Sequence, residues 1–408
     1  MNRRVFHGWY VVAAAFVVTC VGFGSAYTFS AFVPSLQRDF AASRGSVSLV
    51  FSLAGFLYFA LGLVSGPLAD RFGSRPLCVT GMALIGGGIC AAAWARTLIE
   101  VYLCYGLGVG LGIGTAYVPA VGAVQRWFVR RRGFASGLAV SGIGVGTLIF
   151  PPLAAYLIAA IGWRHAYLVL GATAGMAGIA ASLLVENDPR ARGLAPDGDP
   201  PGPAAPAPAA AAGTVGEVVR SRRFVLLYAA CLVSSFGMFV PFVHLVPYAI
   251  DHGIGETSAA LLLAAMGIGS TGGRFFLGGI ADKLGRGLAL IVMFAGMALG
   301  LLAWAGSTRY WELAAFALGY GVFYGGFVAV LPALTMDYFG GRHVSAIIGV
   351  LYTSIAFGTL IAPTAAGFAF DWSGSYTLPI LAGAAGDVIA ALIMLRLSRT
   401  GAPAAAHS

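Results

Sequence analysis

Gly66-Pro67-Leu68-Ala69-Asp70-Arg71-Phe72-Gly73 recurs 212 residues later as Gly278-Gly279-Ile280-Ala281-Asp282-Lys283-Leu284-Gly285. The same offset carries Gly146-Thr147-Leu148-Ile149-Phe150-Pro151 onto Gly358-Thr359-Leu360-Ile361-Ala362-Pro363. Trp127-Phe128 returns at an offset of 211 as Tyr338-Phe339. Three matches in nearly one register make the chain two copies of one plan. In each copy the charged glycine loop lies between two long apolar blocks.

Those blocks set the solvent. The chain has 408 residues, 59% apolar and 10% charged, with a mean hydropathy of +0.87. A soluble chain carries roughly a quarter charged residues, so this one cannot clothe a water-facing surface. Each block is close to the ~20 residues that a helix needs to cross hydrocarbon. The alternating ~10-residue stretches of a membrane β-barrel are absent. Helices then remain as the way to satisfy the backbone in lipid.

Spans are predicted near 8–34, 46–69, 77–95, 98–124, 133–161 and 163–185, and again near 223–250, 257–281, 287–306, 309–336, 343–371 and 374–396. The expected fold is an all-α membrane protein, with twelve transmembrane helices in two six-helix pseudo-symmetric halves. The halves are 1–185 and 223–408. Between them, 186–222 contains PDGDPPGPAAPAPAAAAG, a Pro/Ala/Gly stretch that reads as a cytoplasmic linker.

The net charge of +9 does not indicate nucleic acid, because the arginines stand in short clusters between apolar blocks. With the N-terminus inside, eighteen basic residues fall on the side of both termini. Five (Arg38, Arg44, Arg96, Arg164 and Arg309) fall on the other, and Arg274 alone is left inside a span. That asymmetry predicts cytoplasmic termini and a multi-pass protein of the cell inner membrane. Arg3 and Arg4 before a run reaching Pro34 read as an uncleaved first helix. Cys20, Cys78, Cys90, Cys104 and Cys231 all lie in apolar segments without CxxC spacing, so they read as small core residues. No nucleophile elbow, zinc-protease motif or phosphate loop is present. No enzyme activity, cofactor or metal is expected. Two homologous six-helix halves instead imply a transport site between them near the midplane, exposed to each side in turn.

Arg274, in Gly272-Gly273-Arg274-Phe275-Phe276, is the sharpest candidate for that site. A guanidinium inside a span costs ~2.5–3.5 kcal/mol on insertion scales and needs a partner or a wet cavity. Its planar fork suits a carboxylate, to which it donates two parallel hydrogen bonds. Ser270, one turn earlier, shares its face. His244 lies between Pro241 and Pro247, where freed backbone groups suit a cavity wall, and its ring can bond a carboxylate or carry a proton. Simple counting places it nearer the external end than Arg274. Tyr27, Tyr117, Tyr324 and Tyr352 are candidates for polar contacts. Asp387, in the last span, is left out of the binding set. At the repeated loops, Asp70 with Arg71 and Arg75, and Asp282 with Lys283 and Arg286, are expected to form ion pairs that hold the cytoplasmic side shut. Gly66 and Gly73 allow the tight turn there.

The loop Gly66–Arg75 resembles the signature between the second and third helices of the major facilitator superfamily, and its weaker copy strengthens the match. Within that superfamily the chain resembles the monocarboxylate transporters and their oxalate/formate-antiporter relatives. His7-Gly8-Trp9-Tyr10 is similar to the family's opening of the first helix, with His7 in place of an acid. Trp127-Phe128-Val129-Arg130-Arg131-Arg132-Gly133-Phe134-Ala135-Ser136-Gly137-Leu138-Ala139 is similar to its start of the fifth.

The resemblance implies a substrate-binding arginine on the eighth helix, the place of Arg274. It also marks departures. Where animal relatives carry a lysine in the first helix and an aspartate one turn before that arginine, this chain holds Phe29 and Ser270. Oxalate/formate exchangers carry a lysine in the eleventh helix, and 343–371 holds no Lys or Arg. One fixed cation favours a monoanion.

The expectation is therefore a monomeric, proton-coupled carrier of small monocarboxylates of the lactate or pyruvate kind, working by alternating access. A dianion exchanger is the alternative. So is a drug-efflux antiporter, which the glycines of the fifth span (Gly137, Gly142, Gly144, Gly146) loosely resemble. An exporter of lipophilic cations prefers a buried acid, whereas the central charge here is positive.

Overall fold

The computed structural model describes residues 6–129, 131–198, 214–340 and 344–400. The first half begins with α1, Gly8–Phe40, jointed at Thr28 and containing Pro34. Ala41, at φ 46°, ends it, and the Ser43 hydroxyl caps the next helix by accepting from the Ser46 amide. α2 runs as two arms, Arg44–Ala60 and Gly62–Phe72, bent by 43°. α3 is Ser74–Ala92, and α4 is Leu98–Trp127 with a π-turn over Tyr102–Leu107. One continuous stretch, Arg132–Ser182, breaks at Gly162 (φ 77°, ψ 158°) into α5, 132–161, and α6, 163–182.

The second half comprises α7 Arg222–Asp251, α8 Glu256–Leu284, α9 Arg286–Ala305, α10 Tyr310–Phe339, α11 Val344–Ser373 and α12 Thr377–Thr400. Among the described residues ten helices are long and apolar enough to cross a membrane, and the bent pair makes eleven. Dividing the 49-residue helix Phe134–Ser182 at Gly162 brings the spans to twelve. The two repeated loops turn on the same kind of residue: Gly73 has φ 88° and Gly285 φ 87°, a region that side chains disfavour.

The segment between the halves is not featureless. Pro189–Arg192 forms a 3₁₀ turn, and Val215–Arg220 a short helix capped by Thr214 and Glu217. The Val129 amide donates to the Asp197 carboxylate at 3.0 Å, fixing 186–198 to the first half. Most of the Pro/Ala run, 199–213, lies outside the described residues.

The halves meet along α2 against α11 and α5 against α8. Glycine makes this possible. A Cβ on Gly367 of α11 would stand 2.6 Å from the Gly45 Cα of α2, and one on Gly267 of α8 2.5 Å from the Leu148 amide of α5. Backbones this close leave no room for side chains.

Candidate functional site

Arg274 projects into the seam between the halves from the middle of α8. Gly269 and Gly273 press this helix onto α10, where a Cβ on either would collide with the Leu318 or Val322 carbonyl. The residue is 5% exposed. Its Nη1 donates to the Ser270 carbonyl at 3.1 Å and the Ser270 hydroxyl at 2.5 Å, the i to i−4 pairing of one helix face. Among the described residues, Nε and Nη2 are buried without a partner. A buried donor left unmet costs about 1–3 kcal/mol, more for a charged group, so two on one guanidinium mark a place for an acceptor.

Four phenols lie near that cation: Tyr324, Tyr27, Tyr117 and Tyr352. The Tyr27 and Tyr324 hydroxyls share a hydrogen bond of 3.0 Å. The structure thus brings together Arg274, Ser270 and all four expected tyrosines. Beside them lies a small cavity of about 30 Å³. Phe23, Phe59 and Tyr117 face it from the first half, and Phe239, Tyr324 and Tyr352 from the second. Tyr58, whose ring meets Phe23 at 5.5 Å, is buried beside them.

His244 is placed elsewhere. It is fully buried, its Nδ1 is 2.9 Å from the Tyr376 hydroxyl, and its Nε2 is 2.7 Å from the Pro363 carbonyl. The structure therefore does not bring it to Arg274. It belongs to a cluster at the end of the bundle away from the termini. There Arg44 of α2 donates to both oxygens of Asp251 on α7, at 2.5 and 3.1 Å, and to the Tyr376 hydroxyl at 3.0 Å. The Arg44 and Gly45 amides donate to Asp371 of α11 at 2.9 and 2.8 Å. Arg38 and Glu256 add a pair at 3.5 Å. The cluster closes that end by joining the halves.

At the opposite end, the described pairs of the expected gate residues do not cross from one half to the other. Arg75 donates to Glu186 and to the Val185 carbonyl, both at 3.1 Å. Arg286 donates to Asp337 at 2.5 Å. Arg71 lies over the Phe72 ring, and Lys283 is exposed. The Asp70 and Asp282 side chains lie outside the described residues.

The two stretches with family resemblance pack together here. His7 and Trp127 rings are 5.4 Å apart, and Trp9 meets Phe128 at 4.8 Å. His7 Nε2 stands 3.5 Å from Glu186, which also takes two bonds from Arg192. The Arg192 hydrogen bonds hold the Glu186 carboxyl below its usual 4.5, with the charges of Arg192, His7 and Arg75 adding to the effect. Arg130 lies outside the described residues, as does the Arg132 side chain.

Asp387 is fully buried in α12, where Ser234 of α7 donates to one oxygen at 2.5 Å. The other oxygen has no partner among the described residues.

Sequence reasoning did not single out Tyr58, the phenylalanines of the cavity, or the cluster around Arg44. In the sequence Arg44 stands out only as a loop charge. Asp251 and Asp371, acids at the ends of two spans facing it, were the available signal.

A model of the Major Facilitator Superfamily matches residues 14–307 and 236–407. Monocarboxylate transporter 11 of Homo sapiens is 32% identical over 385 residues, covering 92% of this chain and 79% of that protein. Monocarboxylate transporter 12-B of Danio rerio is 30% identical, covering 91% and 82%. Monocarboxylate transporter 4 of Rattus norvegicus is 28% identical, covering 95% and 82%. Among solved structures, a bacterial homolog of the human lysosomal transporter Spinster superposes with a TM-score of 0.71 at 16% identity, over 97% of each chain.

Proposed function

The chain belongs to the monocarboxylate transporter family of the major facilitator superfamily, and from that premise we propose that it carries small monocarboxylates by alternating access, with Arg274 as the anchor. It is a multi-pass membrane protein, a transporter rather than an enzyme. The observation that supports the anchor is the pair of unmet donors on the Arg274 guanidinium, buried between the two halves. A carboxylate supplies two acceptors to that fork in one plane. No ion pair of Arg274 occurs among the described residues, so the site offers a single fixed positive charge, which suits a monoanion.

The excess of basic residues on the side of the termini supports a cytoplasmic location for both, in an inner membrane. The cluster around Arg44 then closes the outer face, and the conformation is inward-facing. Gly45 and Gly367 supply the close contact there, while the Asp70 and Asp282 loops form the inner gate when the cycle reverses. The halves 1–185 and 223–408 rock about 186–222, and one chain suffices for this.

A proton accompanies the acid in this proposal. Its acceptor lies in the outer cluster, where His244 meets Tyr376 and Ser48, with Arg44 and Asp371 nearby. Protonation there weakens the hold on Arg44 and favours outward opening. Substrate and proton sites would thus be coupled through the conformational equilibrium rather than by contact.

Uptake of labelled pyruvate into proteoliposomes tests the reading, with efflux of tetraphenylphosphonium as the comparator. Saturable pyruvate uptake supports it. Transport of the cation alone refutes it. Flat pH dependence would remove the proton alone.

A further inference from the structure

The outer cluster already holds a carboxylate in a fork. Arg44, the first residue of α2, donates to both oxygens of Asp251 through Nη1 and Nη2, at 2.5 and 3.1 Å. This is the bidentate pairing that a planar guanidinium makes with a carboxylate. Nη1 also meets the Tyr376 hydroxyl at 3.0 Å, and the Phe370 ring faces the guanidinium at 4.1 Å. Its Nε is buried and has no partner among the described residues.

Asp251, Phe370 and Tyr376 belong to the second half, whereas Arg44 belongs to the first. The halves must part at this end for the carrier to open outward. α2 then takes the guanidinium away from its carboxylate and from both rings. The first half is left with a cation whose fork is empty, and the group that fits it has two oxygens in one plane.

A polar track leads inward from that cation. Ser48 and Ser52 follow Arg44 at four-residue steps, which sets all three on one face of α2. Both serines are fully buried, and each meets the second half. Ser48 stands 3.5 Å from His244 Nε2, and Ser52 accepts from Thr364 at 2.9 Å. Further along the same helix Phe59 lines the central cavity, ~22 Å of helix from Arg44. Parting the halves frees these hydroxyls for water or solute. The opened seam then has a cation at its mouth, hydroxyls along its wall and the Arg274 neighbourhood at its foot.

We propose that Arg44 is an entry site for the substrate carboxylate on the outer side, where the incoming acid takes the place that Asp251 fills in the closed state. The proposal rests on the monocarboxylate reading and on the placing of this end outside, and it adds a second cation to the path. One guanidinium serves as a latch when Asp251 fills it and as a receptor when the acid does. Because the acid binds there only when the halves have parted, it favours opening.

The two roles change uptake in opposite directions. Breaking a latch raises the share of outward-open protein and lowers the external KM. Losing a receptor raises it. Asp251→Asn breaks the pair and keeps the receptor, so it supplies the background in which Arg44 is altered. Labelled pyruvate uptake is measured in right-side-out membrane vesicles from cells that produce the full chain, with vesicles from non-producing cells as the blank. Adding Arg44→Gln to Asp251→Asn should raise the external KM at least about threefold, the size of a solvent-exposed ion pair. Adding Arg44→Lys should raise it less, since the charge stays and the fork is lost. Increasing the ionic strength from about 0.05 to 0.5 M should raise the KM of Asp251→Asn and not that of its Arg44→Gln partner, because salt screens exposed charges.

Equal KM values in Asp251→Asn and both double variants would overturn the entry site and leave the monocarboxylate reading standing. So would a KM of Asp251→Asn that salt does not move, a measurement that needs no change at Arg44. Absence of saturable pyruvate uptake by the unaltered chain would overturn that reading, and the entry site with it.

Discussion

The Tyr27 and Tyr324 hydroxyls meet at 3.0 Å across the seam between the halves, although 297 residues separate them in the chain. Both phenols also lie near the Arg274 cation. The bond therefore lies where ligand and the opposing half would be felt together. Tyr324→Phe removes one hydroxyl from this group and keeps the ring. The expected result is a three- to tenfold rise in KM, from a hydrogen bond worth ~0.5–1.5 kcal/mol. Uptake kinetics in proteoliposomes check it, and an unchanged KM would place the pair outside the substrate's reach.

Arg274→Gln should fold, because the change relieves a buried charge. It should lower kcat/KM by about a hundredfold or more, since hydrogen bonds to charged groups contribute ~1.5–3 kcal/mol each. Arg274→Lys should recover only part of the loss, a point charge lacking the planar fork. Initial rates on the wild type and both variants decide this. Normal transport by the glutamine variant would dismiss the anchor.

The cluster around Arg44 predicts a change in access. Thr364 on α11 donates to Ser52 of α2 at 2.9 Å, inside the closed end. A cysteine at Thr364, in a chain cleared of its five native cysteines, should react slowly with a membrane-impermeant maleimide applied from outside. Adding Arg44→Gln should speed that reaction at least about fivefold, because charge-assisted hydrogen bonds to Asp251 are lost. An unaltered labelling rate would mean that the interdigitated glycines alone keep this end closed.

Glu186 predicts a pH dependence of stability. Its carboxyl is held below 4.5 in the folded protein, so the unfolded chain binds the proton more readily. Stability therefore rises with pH through this range. The contribution is present above the unfolded value of about 4.5 and is lost as pH falls through the lower folded value. Glu186→Gln should melt earlier than the wild type at pH 7, by about 1 kcal/mol or less given the exposed arginines around it. The difference should disappear near pH 3. Melting curves in detergent across pH 3–7 provide the measurement, and a constant offset would exclude the linkage.

The architecture was legible because lipid imposes two strong constraints, span length and backbone satisfaction, and both are written as runs of apolar residues. The repeat supplied the rest, down to Gly73 and Gly285 turning alike. The Arg274 neighbourhood was legible for the same reason, since a cation in an apolar run stands out. What was not legible depended on depth and on rotation about a helix axis. His244 lies between two prolines, which suggested a cavity, yet its ring is taken up by Tyr376 and the Pro363 carbonyl from helices far along the chain. Phe23, Phe59 and Phe239 look like any other phenylalanine of a span, and only the assembled halves set them around one space.

The unpaired guanidinium of α8 has an electrical consequence. Arginine keeps its charge in proteins. Empty, the carrier reorients around an uncompensated positive charge, while a bound carboxylate neutralises it. For an acid carried without a proton, the two strokes of the cycle would differ in their response to membrane voltage. A full elementary charge crossing the bilayer is worth ~2.3 kcal/mol per 100 mV, and the midplane group moves through a fraction of that field. With the proton of the proposed symport also aboard, the loaded stroke carries the same single positive charge as the empty return, and the full cycle moves no net charge.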